Sequence, residues 1–398
     1  MKVLQINSVC GIGSTGRIAT DIHQILEAQG HESWIAYGRG EAINCSNTIK
    51  IGNKLDNYKH VALTRIFDLQ GFGSVQATKD FIKEIEFLDP DVIHLHNLHG
   101  YYLNIEILFN YLKRANKPVI WTLHDCWSFT GHCSHFDYVG CERWKIGCYN
   151  CPEKKMYPGS LLMDNSQKNY HSKKEIFTGI KNLTIISPSE WLAKEVKESF
   201  LGEYPIQVIN NGIDLNLFKP TEGEFRKTYN LENKFIILGV ASIWTERKGV
   251  NFFIELAKEL TKDEIIILVG LTQNQKNKLP KNIIGITRTN NIKELAEIYT
   301  TADVFLNPTL EDTFPTTNLE SIACGTPVIT FNTGGSPECI SEETGRVIEK
   351  SDLNSLKERI EYLKTNIKMF NDDVLRKTAV SKYNKEDKYN EYISFYKK

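Results

Sequence analysis

The chain has 398 residues, 41% of them hydrophobic, which is long for one core and comfortable for two domains at roughly 150 residues each. Its 48 basic and 49 acidic residues balance, so nothing in its charge asks for nucleic acid as a partner. No apolar run approaches the roughly 20 residues of a membrane span, and the start Met1-Lys2-Val3-Leu4-Gln5-Ile6-Asn7 reads as a strand rather than a signal peptide, so a cytoplasmic protein with reduced cysteines is expected.

In chain order, short β-branched runs alternate with helix-period stretches: Val3 to Ile6, Ser33 to Ala36, Val92 to Leu95, Val119 to Leu123 and Leu183 to Ile186. That pattern predicts an α/β fold with a mostly parallel sheet and helices on both faces. It restarts at Phe235 to Val240, Glu264 to Val269, Val304 to Leu306 and Val328 to Phe331, so two doubly wound domains in tandem are expected. The boundary falls at the turn-rich string Asn210-Asn211-Gly212-Ile213-Asp214, which divides the chain into 1–212 and 213–375. The tail, about 376–398, carries Tyr383, Tyr389, Tyr392 and Tyr396 at near-helical spacing and reads as one docking helix.

After the first strand comes Gly11-Ile12-Gly13-Ser14-Thr15-Gly16, followed by a helix pattern. Its glycines let a phosphate approach the backbone at a helix start. Read as a dinucleotide fingerprint, it needs an acid at the end of the next strand. Gly38-Arg39-Gly40 stands there and the first acid is Glu41, which sets a dehydrogenase well behind. His124 and Asp125 follow a strand at the carboxyl edge of the sheet, where open α/β sheets bind ligands, and His94, His96 and His99 end another strand. They read as a polar cleft wall, with a histidine at 124 able to donate to a hydroxyl, before they read as a metal site.

Lys113, Arg114 and Lys117, with Tyr101, Tyr102 and Phe109 nearby, offer a basic and aromatic face for peripheral contact at the inner plasma membrane; the plainer reading is a solvated helix flank. Cys133, Cys141, Cys148 and Cys151 crowd one loop with His132 and His135. They are either four ligands of a structural zinc, closed to substrate, or reduced thiols packed in a long insertion.

In the second half, Glu246-Arg247-Lys248-Gly249 puts two cations at the carboxyl edge of the second sheet. Asp312 and Glu320 lie eight positions apart around Thr313-Phe314-Pro315-Thr316-Thr317-Asn318-Leu319, a Pro-bearing loop that opens a helix. Helix-start N–H groups and cations suit a diphosphate, and ionised carboxylates suit sugar and ribose hydroxyls. Gly325 stops the helix and Pro327 precedes a buried strand.

Together Ser187-Pro188-Ser189-Glu190-Trp191-Leu192, Val208 to Asp214 with Phe218 and Pro220, Lys248-Gly249, and Pro308 to Ile329 resemble the retaining GT-B glycosyltransferases of family 4 over nearly the whole chain. The resemblance implies two Rossmann-like domains facing across a cleft and a closing helix, about Asp387 to Lys398, that crosses back to the first. It implies hexosyl transfer from a UDP- or GDP-linked sugar held by the C-terminal domain, an acceptor (a saccharide or lipid-linked saccharide) on the N-terminal one, and no catalytic metal. By position, Glu320 is similar to the carboxylate on the ribose, Lys248 to the lysine on the diphosphate, Gly13 to the first glycine of the N-terminal loop, and His124 to the histidine on the donor sugar. Phe314, Pro315, Thr316 and Thr317 fall in the donor segment, and base contacts through backbone are expected near Ile286 and Thr287. Three positions depart from the pattern: Asp312 where a Glu contacts the sugar, Ser242 near the place of a phosphate-binding Arg, for which Arg247 is the substitute, and Ser14 in place of the second glycine. The other readings are an epimerase of nucleotide sugars and a non-catalytic sensor or scaffold.

Overall fold

The structure, a computed structural model, describes residues 1–366 and 370–397. The chain divides into two compact units: Met1–Asn210 together with the closing residues from Lys388, and Asn211–Asp387.

In unit 1 the strands are β1 (Lys2–Val9), β2 (Glu32–Arg39), β3 (Thr48–Lys50), β4 (Val92–Leu95), β5 (Val119–Thr122), β6 (Leu183–Ser187) and β7 (Ile206–Val208). They form one parallel sheet in the order β3-β2-β1-β4-β5-β6-β7. β4 and β5 are buried at every position, as a strand covered by helices on both faces must be. In unit 2, β8 (Phe235–Val240), β9 (Glu264–Val269), β10 (Ile283–Ile286), β11 (Val304–Asn307), β12 (Val328–Phe331) and β13 (Gly345–Ile348) form a second parallel sheet, ordered β10-β9-β8-β11-β12-β13. The expected α/β architecture of two doubly wound domains is therefore present. β3, β7, β10 and β13, which the sequence reading leaves out, all lie at sheet edges.

Two motifs first read for function have local structural work. Ser189 Oγ accepts from Leu192 N at 3.2 Å and caps the helix Glu190–Glu198, while Ser187 Oγ donates to Ser189 O at 2.7 Å. In the string that follows β7, Asn210 Nδ2 donates to Pro188 O within unit 1, and Asn211 Nδ2 donates to Phe314 O within unit 2.

The tail corrects one expectation. It is two helices, Asp372–Tyr383 and Lys385–Tyr396, broken at Asn384. Ile213 N donates to Tyr383 O at 2.9 Å and Lys385 N to Ile213 O at 3.1 Å, so the backbone around the break pairs like a strand and leaves the helical path. Tyr383 packs in the unit 2 core. Tyr389, Tyr392, Ile393 and Tyr396 pack on Val3, Ile18, Val92, Ile120 and Ile186 of unit 1. Lys398, the expected last residue of that helix, lies outside the described residues.

The basic and aromatic face also needs correction. Tyr101, Tyr102 and Phe109 are interior, at 6%, 1% and 0% exposure, and the hydrophobic stripe of the helix Ile105–Ala115 turns Phe109 onto Trp121 and Phe177. Lys117 pairs with Asp89, and Lys113 donates to Glu175 O. Among the described residues no helix is long and apolar enough to cross a membrane.

Candidate active site

In unit 2 the residues of interest gather where β8 and β11 end side by side. Leu310 N donates to Arg247 O at 2.8 Å, which seats the loop after β11 on the short 3-10 turn Glu246–Lys248. Gly249 lets the two loops meet: its φ is +77°, and a Cβ there would lie 2.1 Å from Pro308 O. Gly334 does the same on the other side, where a Cβ would lie 2.0 Å from Asp312 O.

This clamp pairs charges residue by residue. Lys248 Nζ stands 2.5 Å from Asp312 Oδ2, and Arg247 Nε 3.6 Å from Glu311 Oε1, with Arg247 also donating to Glu311 O. Glu311, buried at 5% exposure, is the member that the sequence reading missed; the acid beside Asp312 was its signal. The helix Thr316–Ala323 starts after Pro315 without a side-chain cap and without an acid in its first turn, so its opening N–H groups keep their positive end. Deeper in that helix Glu320, 6% exposed, accepts from Tyr299 OH at 3.0 Å. Phe314 is buried and packs on Tyr383. Ser242 is exposed in the loop after β8. Thr287, exposed just past β10, sits at the sheet edge, two strands from β8, so it is not drawn into the cluster.

Unit 1 presents the other set. The helix Gly13–Ala28 opens with Gly13 at φ +66°, where a Cβ would meet nothing within 4 Å. That helix start is likewise uncapped by any side chain. Beside it runs a chain of hydrogen bonds across β1, β4 and the end of β5. Gln5 Nε2 donates to Ala19 O, which turns Gln5 Oε1 to His96 Nε2 at 3.1 Å, and His96 Nδ1 meets His124 Nε2 at 3.1 Å. Because Gln5 Oε1 only accepts, His96 carries its proton on Nε2, and His124 must donate from Nε2. Burial pushes His124 down to about 4 and His96 well below the usual histidine range, so both rings are neutral. The proton that His124 was expected to offer a hydroxyl goes to His96 instead.

His94 is fully interior, between Thr122 Oγ1 at 2.8 Å and Tyr396 OH at 2.6 Å. His99 joins Asp125 Oδ2 at 2.7 Å and Tyr157 OH at 2.9 Å. Burial would raise the Asp125 carboxyl, but the charge and hydrogen bond of His99, with the Trp127 N–H, hold it at about 2.

The model of Glycosyltransferase Family 4 matches residues 15–217, and that of Glycosyl transferases group 1 matches residues 234–366. The chain belongs to glycosyltransferase family 4.

As a glycosyltransferase it has a relative along most of its length in WcaC of Escherichia coli (strain K12), named as a glycosyl transferase of colanic acid biosynthesis: 25% identical over 374 residues, 89% of each chain. A UDP-Gal:alpha-D-GlcNAc-diphosphoundecaprenol alpha-1,3-galactosyltransferase of Escherichia coli is 28% identical over 179 residues, spanning 45% of that protein. Among solved structures, sucrose-phosphate synthase from Thermosynechococcus elongatus superimposes with a TM-score of 0.74 at 17% identity, covering 100% of this chain and 98% of the other. Anabaena HepE in complex with UDP-glucose gives 0.68 at 14% identity, covering 99% of both. These neighbours place the glycosyltransferase in the GT-B fold.

The cysteine loop of this glycosyltransferase, residues 123–165, also carries His124, Asp125 and Tyr157 of the unit 1 set. Cys133, Cys141, Cys148 and Cys151 line one cavity with His132, packed against Phe136 and Trp144. The four sulfurs do not surround a common point as the four-cysteine zinc expectation requires; among the described residues no group of three or more His, Cys, Asp or Glu side chains is so arranged.

Proposed function

We propose that this glycosyltransferase moves a hexosyl group from a nucleotide diphosphate sugar, UDP-linked before GDP-linked, to a hydroxyl of a saccharide or lipid-linked saccharide. Configuration at the anomeric carbon is retained and no catalytic metal takes part. The observation that carries this reading is the clamp of unit 2, which sets Lys248 and Arg247 against Asp312 and Glu311 beside an open helix start. The choice of UDP is supported by the name of the Escherichia coli galactosyltransferase and by the UDP-glucose held by HepE. The first of these, acting on a diphosphoundecaprenol-linked sugar, also supports the lipid-linked acceptor.

In this reading unit 2 binds the donor and unit 1 the acceptor. The diphosphate lies on Lys248, Arg247 and the N–H groups at Thr316 and Thr317, which offset the charge that develops as the anomeric C–O bond breaks. Asp312 accepts from hydroxyls of the donor sugar and Glu320 from the ribose, with the base near Thr287 and Ser242 beside the phosphates. The acceptor oxygen attacks the face from which the diphosphate departs, and a phosphate oxygen takes its proton, so the protein supplies geometry and charge rather than a nucleophile.

The test is nucleotide release from UDP-glucose, UDP-galactose, UDP-N-acetylglucosamine and GDP-mannose, with chelator present and with a panel of lipid-linked and free saccharides. Release of one nucleotide, with an α-linked product seen by NMR, supports the whole reading. An altered nucleotide sugar made without acceptor would instead identify an epimerase, and binding without turnover a sensor.

A further inference from the structure

We propose that unit 1 carries a docking surface for an anionic lipid bilayer, formed by the outward face of the helix Lys54–Phe67 and the adjoining stretch 154–163. The helix is inverted relative to an ordinary surface helix. It buries His60 and Thr64, at 1% and 0% exposure, and shows Leu55, Tyr58, Ile66 and Phe67 to solvent, Tyr58 at 70%. Positions 55, 58, 62 and 66 follow helical spacing, so Leu55, Tyr58 and Ile66 lie along one face. The inward polar residues have partners that account for their burial. His60 Nε2 accepts from Gly71 N at 3.1 Å and Gly73 N at 3.3 Å, His60 Nδ1 meets Ser74 Oγ at 2.9 Å, and Thr64 Oγ1 donates to Gln70 Oε1 at 3.2 Å. Holding the loop 70–74 in this way leaves the apolar side of the helix outside.

The stretch 154–163 extends this face. Leu161 N donates to Arg65 O at 2.8 Å, Met163 N to Ile66 O at 3.2 Å and Asn165 Nδ2 to Phe67 O, so this segment takes the carbonyls that the helix end leaves open. Leu161 and Leu162, 63% and 68% exposed, are thereby seated beside Ile66 and Phe67. One exposed leucine needs no explanation, but six such side chains gathered from two segments mark an interaction surface. Charge selects the partner. Lys54, Lys59, Arg65, Lys154 and Lys155 stand on these segments against Asp56 and the flanking Glu153 and Asp164. Asp56 turns to Asn53 N in the helix cap, and Asp164 to the N–H groups of Cys151 and Ser166. The positive surplus is local, since the whole chain carries −1. Apolar side chains that enter a headgroup layer, among lysines whose stems reach along them, fit a sheet of lipid phosphates. A second copy of the chain would instead set the same cations against one another. Between Lys155 and Leu161, Tyr157 OH joins His99 at 2.9 Å, so the surface borders the polar set at the carboxyl edge of the unit 1 sheet. Its use rests on the reading of a lipid-linked acceptor: a bilayer held here brings the carrier's headgroup beside unit 1.

The test is flotation of the full chain with vesicles of phosphatidylglycerol and phosphatidylethanolamine, and with neutral phosphatidylcholine vesicles, in the absence of donor and acceptor. Affinity for the anionic vesicles should exceed that for the neutral ones about 10-fold or more and fall at high salt. Leu161→Ser with Leu162→Ser, and separately Lys59→Ala with Lys155→Ala, should each weaken it about 10-fold or more. All four side chains are exposed, so the melting temperature and nucleotide release with a soluble saccharide should stay at wild-type values. Phe87→Ser, at a 94% exposed position on the separate helix Val75–Leu88, should leave vesicle binding unchanged. No binding to either vesicle, equal binding to both, or wild-type binding kept by the leucine pair overturns the proposal. So does a concentration-dependent dimer that the leucine pair dissolves in a chain that ignores vesicles, which assigns the face to a second copy. Because the wild-type comparison of the two vesicles needs no variant, a misfolded mutant does not rescue the idea. Failed vesicle binding leaves the transfer reading untouched, and a failed search for a lipid-linked acceptor leaves the measured surface standing.

Discussion

Lys248 Nζ and Asp312 Oδ2 meet at 2.5 Å, joined across two loops that are forced together by Gly249 packing on Pro308. The pair sits where β8 and β11 end, and each partner keeps some exposure, 25% for the lysine and 15% for the aspartate. A diphosphate entering there would take over the ammonium and release the carboxylate to a hydroxyl. This exchange makes the pair testable from both sides.

Lys248→Ala should reduce transfer about 100-fold or more, the scale of losing one charge-stabilising donor. Its melting temperature should shift by only a few degrees, since a partly exposed ion pair contributes about 1 kcal/mol or less. Steady-state nucleotide release and a thermal melt measure both; near-normal turnover would refute the role given to Lys248.

Asp312→Asn separates sugar from diphosphate. Removing the carboxylate frees Lys248, so the affinity for UDP alone should hold or rise, while turnover of the UDP-sugar falls about 10-fold or more. Calorimetric titration with UDP set beside kinetics checks this, and a loss of UDP binding would mean that Asp312 supports the phosphate side instead.

At Glu320 the choice of substitution matters. Glu320→Ala leaves the buried Tyr299 hydroxyl without its acceptor and should cost about 1–3 kcal/mol of stability, confounding any binding result. Glu320→Gln keeps an acceptor for Tyr299, so it should melt near the wild type yet bind the nucleotide several-fold more weakly. Equal melting temperatures for the Ala and wild-type proteins would contradict the structural half of this prediction.

The buried histidines predict acid sensitivity. His94 is held at about 3 and His124 at about 4 by burial, against about 6.5 in an unfolded chain. Between those values the unfolded chain binds protons that the folded chain refuses, so stability is full above about 6.5 and falls as pH drops towards 4. For His124 alone the loss is on the order of 3 kcal/mol over that window. Asp125, held at about 2, acts lower, its contribution being lost only as pH falls from about 4 to 2. Urea unfolding at pH 7, 6 and 5 measures the first window, and a flat profile there would show that these rings are solvated.

The alternation of buried β-branched runs with helical periods was enough to read nine of the thirteen strands among the described residues, because a strand buried on both faces must be apolar throughout. The four it left out, β3, β7, β10 and β13, are edge strands of three or four residues with mixed exposure, where burial leaves no pattern to read. That Arg247, Lys248 and Asp312 lie on loops at the carboxyl edge is equally legible in the chain, since each follows a central strand. Which charges meet could not be read there, because it depends on a backbone contact between Gly249 and Pro308 that no local propensity encodes. The packed fold also decided that the donor of His124 is spent on His96, that Tyr299 takes Glu320, and that Tyr383 parts from the other tail tyrosines at Asn384. These are pairings between residues distant in the chain, and they arise only where the packed sheets bring the strand ends together.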